Sequence, residues 1–368
     1  MDAEEIASSI TNSLRDIGFM GDILSIPLAD GGEGTSITLS DLFPQIQYLS
    51  VCDALGRKTF TSYRVDESNR KALIESAKII GLPLLNEKER NPLLTSSFGL
   101  GEAIKYLIKK GFSDLTITLG GSATNDAGMG MLSALGFRFI DNKGNILLPN
   151  GENTLKIKKI IKSDFINKIK DLNINCICDV SNPLIGPLGA SFIFSPQKGA
   201  SIESTLILEQ GLVNFAEVTE KEGFGCPEDR WLPGSGAAGG LGYALSVYLN
   251  GKLIPGIEYI LEKINFDQKI NEADLIITGE GKIDRQSLMG KVLNGILNKA
   301  KEKGIPVIGI GGKIEDKNIL IDAGFKDLYE ISDPYLSEEK NMTKDQTRKN
   351  IDKTIKQMSK NIFFRQFL

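Results

Sequence analysis

An α/β fold follows from two features of the sequence. Strands alternate with helices through the C-terminal third, and predicted strands repeatedly end in charged, glycine-bearing loops. In that third, Leu275–Thr278, Val307–Ile310 and Leu328–Ile331 read as short apolar strands, each followed by a helix, at Leu288–Lys303, Asp316–Ala323 and Asp345–Asn361. Such alternation builds a parallel sheet whose right-handed crossovers cover both faces. At the start, Asp2-x-x-Glu5 forms a capping box for a helix that places Ile6, Ile10 and Leu14 on one face. Ile23–Leu28 then reads as a strand. In the middle, Leu115–Leu119 is a strand before a glycine loop and a helix over Met129–Leu135; Cys176–Val180 is a strand, and Ile202–Lys221 a helix. No internal repeat or low-complexity linker interrupts the chain. The first helix has no strand ahead of it, although a βαβ unit normally supplies one. That leaves a helix-first fold or a chain lacking its first strand.

The 368 residues suggest about two domains. With 41% hydrophobic and 24% charged residues, the composition is that of a globular protein with material for a core. A net charge of −4 gives no electrostatic case for nucleic acid. No apolar run is long enough to cross a bilayer, and the acidic start Met-Asp-Ala-Glu-Glu is unlike a signal peptide. Cys52, Cys176, Cys178 and Cys226 lack zinc spacing; Cys176 and Cys178 share a strand face as buried thiols, which fits the reducing cytoplasm. The chain contains no histidine. Histidine bases and Ser-His-Asp triads are therefore excluded, and acid–base work falls to Asp, Glu, Lys, Tyr or Cys.

The loops carry the chemistry. In Asp30-Gly31-Gly32-Glu33-Gly34-Thr35, glycines bring N–H groups close to an anion and two carboxylates offer water-mediated Mg²⁺ binding; a tight polar turn explains the same residues. Gly120-Gly121-Ser122-Ala123-Thr124-Asn125-Asp126 leads from a strand into a helix, an anion site with Asp126 as a metal ligand, unless Thr124 or Asn125 only caps the helix. Asp179 sits at a strand's carboxyl end and opens Asp-Val-Ser-Asn182-Pro-Leu, with the cation Lys198 following in Pro196-Gln-Lys-Gly-Ala200; an Asx-turn is the plainer use of Asp179. Gly234-x-Gly236-x-x-Gly239-Gly240 matches the dinucleotide fingerprint formally, but Asp229-Arg-Trp-Leu-Pro precedes it instead of an apolar strand, and tight helix packing competes as an explanation. In Gly279-Glu280-Gly281-Lys282-Ile283-Asp284-Arg285, Lys282 and Arg285 can neutralise a transferring phosphoryl group, while Glu280 or Asp284 binds Mg²⁺ or orients a hydroxyl. The Walker A pattern is absent. Phosphate-shaped loops, acids, cations and no histidine together point to phosphoryl transfer, which can proceed with an Asp base.

Taken in order, Asp30-Gly-Gly-Glu-Gly-Thr35, Gly120-Gly-Ser-Ala-Thr-Asn-Asp126, Asp179-Val-Ser-Asn-Pro-Leu184, Pro196-Gln-Lys-Gly-Ala200, Gly234-Ser-Gly-Ala-Ala-Gly-Gly240 and Thr278-Gly-Glu-Gly-Lys-Ile-Asp-Arg-Gln-Ser287 resemble the bacterial type I glycerate kinases. The similarity covers almost the whole chain. It implies ATP-dependent phosphorylation of D-glycerate with Mg²⁺, giving 2-phosphoglycerate, with 3-phosphoglycerate ranked second. It also implies a flavodoxin-like parallel-sheet domain built from both chain ends, residues 1–45 and 272–368, with a second α/β domain, residues 46–271, inserted between them. Family members begin with a strand and an Asp-Ser-(Phe/Tyr)-Lys loop; here Met1 falls where the first helix starts. The family's Asp-Pro-Leu-Gly-Arg reads Asp53-Ala-Leu-Gly-Arg57, and Leu293 replaces a usual proline.

Within that resemblance, Asp179 is expected to be the base that takes the glycerate hydroxyl proton. Asp126 and Glu280 are expected to hold Mg²⁺. Gly120, Gly121, Ser122, Gly234, Gly236, Gly239 and Gly240 are expected to cradle phosphates, with Asp30, Gly31, Gly32, Glu33, Thr124, Asn125, Asn182 and Lys198 in the same sites. Lys282, Asp284 and Arg285 serve the transition state, and Arg57 takes the substrate carboxylate. Partners are D-glycerate and ATP, with a homo-oligomer allowed and neither nucleic acid nor membrane. Two rivals remain: a truncated relative that binds nucleotide or glycerate without turnover, and a nicotinamide dehydrogenase through the Gly234 match.

Overall fold

The structure, a computed structural model, describes all residues except 2, 30, 31, 33, 170, 171, 289–291 and 368. The chain divides into two compact units, one made of Ala29–Ile260 and the other of Met1–Leu28 with Leu261–Leu368.

The Ala29–Ile260 unit holds strands β1 (Gln45–Cys52), β2 (Lys58–Asp66), β3 (Lys71–Glu75), β4 (Asp114–Thr118), β5 (Arg138–Ile140), β6 (Lys159–Ile161), β7 (Asn173–Cys178) and β8 (Lys252–Pro255). Its main sheet runs in the order β1-β2-β3-β4-β7-β8. β2 runs antiparallel to both its neighbours, β1 and β3, whereas β3, β4, β7 and β8 are parallel. Burial explains the difference. β4 and β7 are buried almost continuously, as parallel strands covered on both faces must be. β1 sits at the edge and leaves Ile46 and Tyr48 exposed. Leu100, Ile104 and Leu107 of the helix Phe98–Lys109 and Leu212 and Phe215 of the helix Ile202–Lys221 join Leu115 and Ile117 of β4 in one core. Cys176 and Cys178 are buried free thiols on β7, two residues apart and so on one face. β5 and β6 form a separate small ladder.

The second unit carries β9 (Ile276–Ile283), β10 (Val307–Ile314) and β11 (Asp327–Glu330) as a parallel sheet ordered β11-β10-β9. The helix Ala3–Asp16 turns Ile10 and Leu14 toward Ile308 and Ile310 of β10 and toward Ile351, Ile355 and Met358 of the helix Lys344–Met358. Glu5 and Lys344 tie the two helices with an ion pair of 2.7 Å.

The α/β class is therefore as the alternation predicts, with local corrections. Residues 23–28 form no strand; Pro27 lacks the N–H a ladder needs, and Leu24 points to solvent. β9 extends through Gly279-Glu280-Gly281-Lys282, which read as loop, because these residues pair with β10 as far as Ile283 and Ile314. The helix expected over Leu288–Lys303 is a 3₁₀ turn at Arg285–Leu288 and a helix at Val292–Glu302, with 289–291 outside the described residues. Among the described residues no helix is long and apolar enough to cross a membrane.

Candidate active site

In the Ala29–Ile260 unit the carboxyl ends of β3, β4 and β7 lie side by side. Glu75 pairs with Thr118, and Thr118 with Ile177. In parallel sheets this edge is where ligands bind. Just past it come Ser76, then Gly120-Gly121-Ser122, then Asp179. Gly121 is exposed with φ +70°, a left-handed conformation that glycine adopts without strain. The turn is clamped from behind. Leu82 N–H donates to the Gly121 carbonyl at 2.8 Å and Ala123 N–H to the Ile80 carbonyl at 2.8 Å. Asp179 is exposed, directly after β7.

Beneath the turn the loop is buried and polar. Asp126 is fully enclosed. Its Oδ2 accepts from Ser97 N–H (2.8 Å), Ser97 Oγ (2.8 Å) and Gly130 N–H (3.0 Å), and its Oδ1 from Gly128 N–H (3.1 Å). Burial pushes the carboxyl pKa up, against these hydrogen bonds. With both oxygens engaged by protein donors, Asp126 does not fit the metal ligation expected of it; it locks the loop to the start of the helix Met129–Ala134. Lys198 is 3% exposed. Its ammonium donates to the Thr124 carbonyl at 2.7 Å and to Ser122 Oγ at 3.3 Å. Burial pulls its pKa down to about 7, with the Asp126 charge opposing. The Asn125 amide donates to Ser191 Oγ at 3.2 Å. Thr124 Oγ1 and Asn125 Oδ1 are buried without a hydrogen-bond partner.

The buried ammonium makes a testable statement about pH. The folded protein releases the Lys198 proton near pH 7, the unfolded chain near its ordinary 10.5. Between those values the unfolded state binds more protons, so this group makes the unfolding free energy rise with pH across the window. Urea melts of Lys198→Met show a flatter rise than the parent; equal slopes contradict the assignment.

The Gly234–Gly240 run is a packing device. All seven residues are buried. Gly236 N–H is spent on the Asn182 carbonyl (3.0 Å), Ala237 N–H on Gly234 (3.0 Å) and Gly240 N–H on Gly236 (3.4 Å). Ala238, Gly239 and Gly240 are left-handed, kinking the helix Ala237–Leu249 at its start. A Cβ on Gly239 would lie 2.1 Å from the Thr124 carbonyl oxygen, and one on Gly240 2.8 Å from Ala127 Cα. The glycines therefore let this helix press against the Gly120–Asp126 loop, with the N–H groups of Gly236, Ala237 and Gly240 bonded within the protein. A 3₁₀ turn, Pro227–Trp231, precedes the run, so the strand required by a dinucleotide fingerprint is missing. Gly239→Ala costs about 1–3 kcal/mol in a denaturant melt; a neutral result contradicts this packing.

Other expected residues are similarly engaged. Arg57 lies in the β1–β2 turn, with Nε 2.6 Å from Asp53 and Nη1 2.6 Å from Glu89. These carboxylates raise its pKa further, and Asp53 also accepts from the N–H groups of Leu55 and Arg57 at 2.9 Å. Arg57 is thus held by two carboxylates at the β1–β2 turn, with its side chain half exposed. The Asn182 amide bonds the Leu188 carbonyl at 2.8 Å. Gly32 accepts from Thr35 Oγ1 at 2.8 Å; Asp30, Gly31 and Glu33 lie outside the described residues.

In the other unit, Lys282 at the end of β9 pairs with Glu315 at 2.9 Å and Asp284 at 3.2 Å. Lys313 and Lys282 bring the Glu315 carboxyl down to about 2. Asp284, its pKa lowered first by the Gln286 N–H and then by Lys282, caps the following turn. Glu280 accepts from Ser287 Oγ at 3.2 Å. The Arg285 side chain is exposed and has no ion pair among the described residues. No cluster of three or more metal-binding side chains occurs among the described residues.

Sequence reasoning missed Glu75, Lys78 and Ser36, which gather at the end of β3. The only available signal was an acid closing the apolar run Ala72-Leu-Ile-Glu75.

The model of the glycerate kinase family matches residues 1–363. The chain belongs to the glycerate kinase family. A glycerate kinase of Bacillus cereus is 41% identical over 313 residues, covering 85% of this chain and 82% of that protein. A glycerate 2-kinase of Escherichia coli K12 is 40% identical over 317 residues, covering 86% and 83%. A crystal structure from Salmonella typhimurium LT2, of a protein provisionally assigned as glycerate kinase 2, superposes with a TM-score of 0.82 at 34% identity. It covers 100% of this chain and 96% of that one. As a member of this family the chain is a kinase, and the glycine turn beside Asp179 is its candidate phosphoryl-transfer centre.

Proposed function

We propose that this glycerate kinase transfers the γ-phosphoryl group of MgATP to D-glycerate and yields 2-phosphoglycerate. The observation that carries the reading is the Gly120–Gly121 turn, exposed at Gly121. It is underlain by the buried Lys198 ammonium and flanked by Asp179, which directly follows the neighbouring strand β7. A turn of that kind holds a phosphate by backbone N–H groups and local positive charge. Asp179 is the proposed base: it accepts the hydroxyl proton as the glycerate oxygen bonds to phosphorus and the bond to ADP breaks. Arg285 is the proposed cation for charge on the transferred group, with Lys282 second because two carboxylates already hold it.

Mg²⁺ enters with ATP as part of the co-substrate. Such Mg²⁺ keeps several waters and needs one or two carboxylates. Glu280 and Asp284 are the proposed carboxylates; Asp126 is not, for the reasons given.

The site of phosphorylation is decided by phosphorus NMR of the product. Phosphate on C2 couples to a single methine proton and appears as a doublet, the expected result. A triplet, from the C3 methylene, would assign 3-phosphoglycerate. The reading of a protein that binds without turnover is not favoured by the match to named kinases.

A further inference from the structure

The carboxyl end of β3 carries a polar cluster to which the catalytic roles above assign nothing. Glu75 closes β3 as a carboxylate only 5% exposed. Its Oε1 accepts the Ser36 N–H at 3.2 Å. Its Oε2 is ion-paired with the Lys78 ammonium and receives no well-aligned hydrogen bond. Lys78 also donates to Ser36 Oγ at 3.1 Å, yet its side chain is 43% exposed. The adjacent Ser76 hydroxyl is fully buried and has no partner. A buried orphan hydroxyl is costly, and is relieved by water or by a ligand.

The place of the cluster says which ligand. Ser76 N–H donates to the Thr118 carbonyl at 3.2 Å, and a Cβ on Gly121 would meet Ala77 at 3.3 Å, so the cluster abuts the glycine turn. In the order β3-β4-β7 the turn after β4 has Glu75 and Lys78 on one flank and Asp179 on the other. Neighbouring strands lie about 4.8 Å apart, which puts β3 and β7 about 10 Å apart. A three-carbon hydroxy acid bridges that span once a lysine and an aspartate reach inward from the two sides.

We infer that Glu75 and Lys78 bind the phosphoryl acceptor: Lys78 receives the carboxylate of a short hydroxy acid, and Glu75 accepts a hydrogen bond from its hydroxyl. Arg57, the arginine expected in this role, pairs with two carboxylates, Asp53 and Glu89, whereas Lys78 pairs with one, Glu75, and follows Ala77, which abuts the glycine turn. The inference rests on the kinase reading above and adds the acceptor's binding residues to it.

The test measures KM for D-glycerate and for MgATP in the parent, Glu75→Gln and Lys78→Met. Losing a charge-assisted hydrogen bond raises KM for D-glycerate by about 10–100-fold in each variant, with KM for MgATP unchanged. Loss of a merely structural contact moves both constants together or neither, and either pattern overturns the inference. If Glu75→Gln fails to fold, Lys78→Met decides, since its side chain is half exposed. Normal turnover of the parent with unaffected variants defeats this inference alone; absence of glycerate-dependent turnover in the parent defeats the kinase reading and this inference with it.

Discussion

Asp179→Asn lowers kcat by about 10²–10⁴-fold, the usual contribution of a general base, and leaves KM for D-glycerate nearly unchanged. The substitution keeps the size of the side chain and removes its capacity to accept a proton. Asp179 is exposed and follows β7, so the loss is expected in turnover and not in folding. Steady-state kinetics read beside a thermal melt separate the two. Near-normal turnover would show that the hydroxyl proton leaves by another route, since the chain has no histidine to replace the aspartate.

Arg285→Ala lowers kcat by about 10²–10³-fold, as does removal of one preorganised donor from a developing charge. The comparison with Lys282→Ala makes the result specific. Lys282 shares its charge with Asp284 and Glu315, so its removal costs less than that of Arg285, whose side chain has no ion pair among the described residues. A larger effect at Lys282, or an Arg285 effect confined to KM, would reverse the order of the two cations.

Strand ends leading into glycine loops were legible because parallel strands are apolar throughout and stop abruptly, as at Leu115–Leu119 and Cys176–Val180. What the loop residues do there was less legible. Asp126 has the composition of a metal ligand, but only folding brings Ser97 and Gly130 onto its oxygens. Gly239 has the composition of a phosphate cradle, but its missing Cβ makes room for the Thr124 carbonyl. Gly279 reads as loop for the same reason. In fact a Cβ there would sit 2.1 Å from the Ile310 carbonyl oxygen, so the glycine serves the pairing of β9 with β10. Glycine in sequence signals close approach of something; whether that is a ligand or the chain itself is a tertiary matter. Glu75 was invisible for the opposite reason. One acid after an apolar run carries no pattern, and its value comes from Ser36 and Lys78, the first of them 39 residues away.

The central claim is tested most directly by ADP release from the purified 368-residue chain with MgATP, with and without D-glycerate. Release that depends on D-glycerate and saturates with it is the predicted result. Tight MgATP binding with no glycerate-dependent ADP would contradict the account and select a protein that binds without turnover.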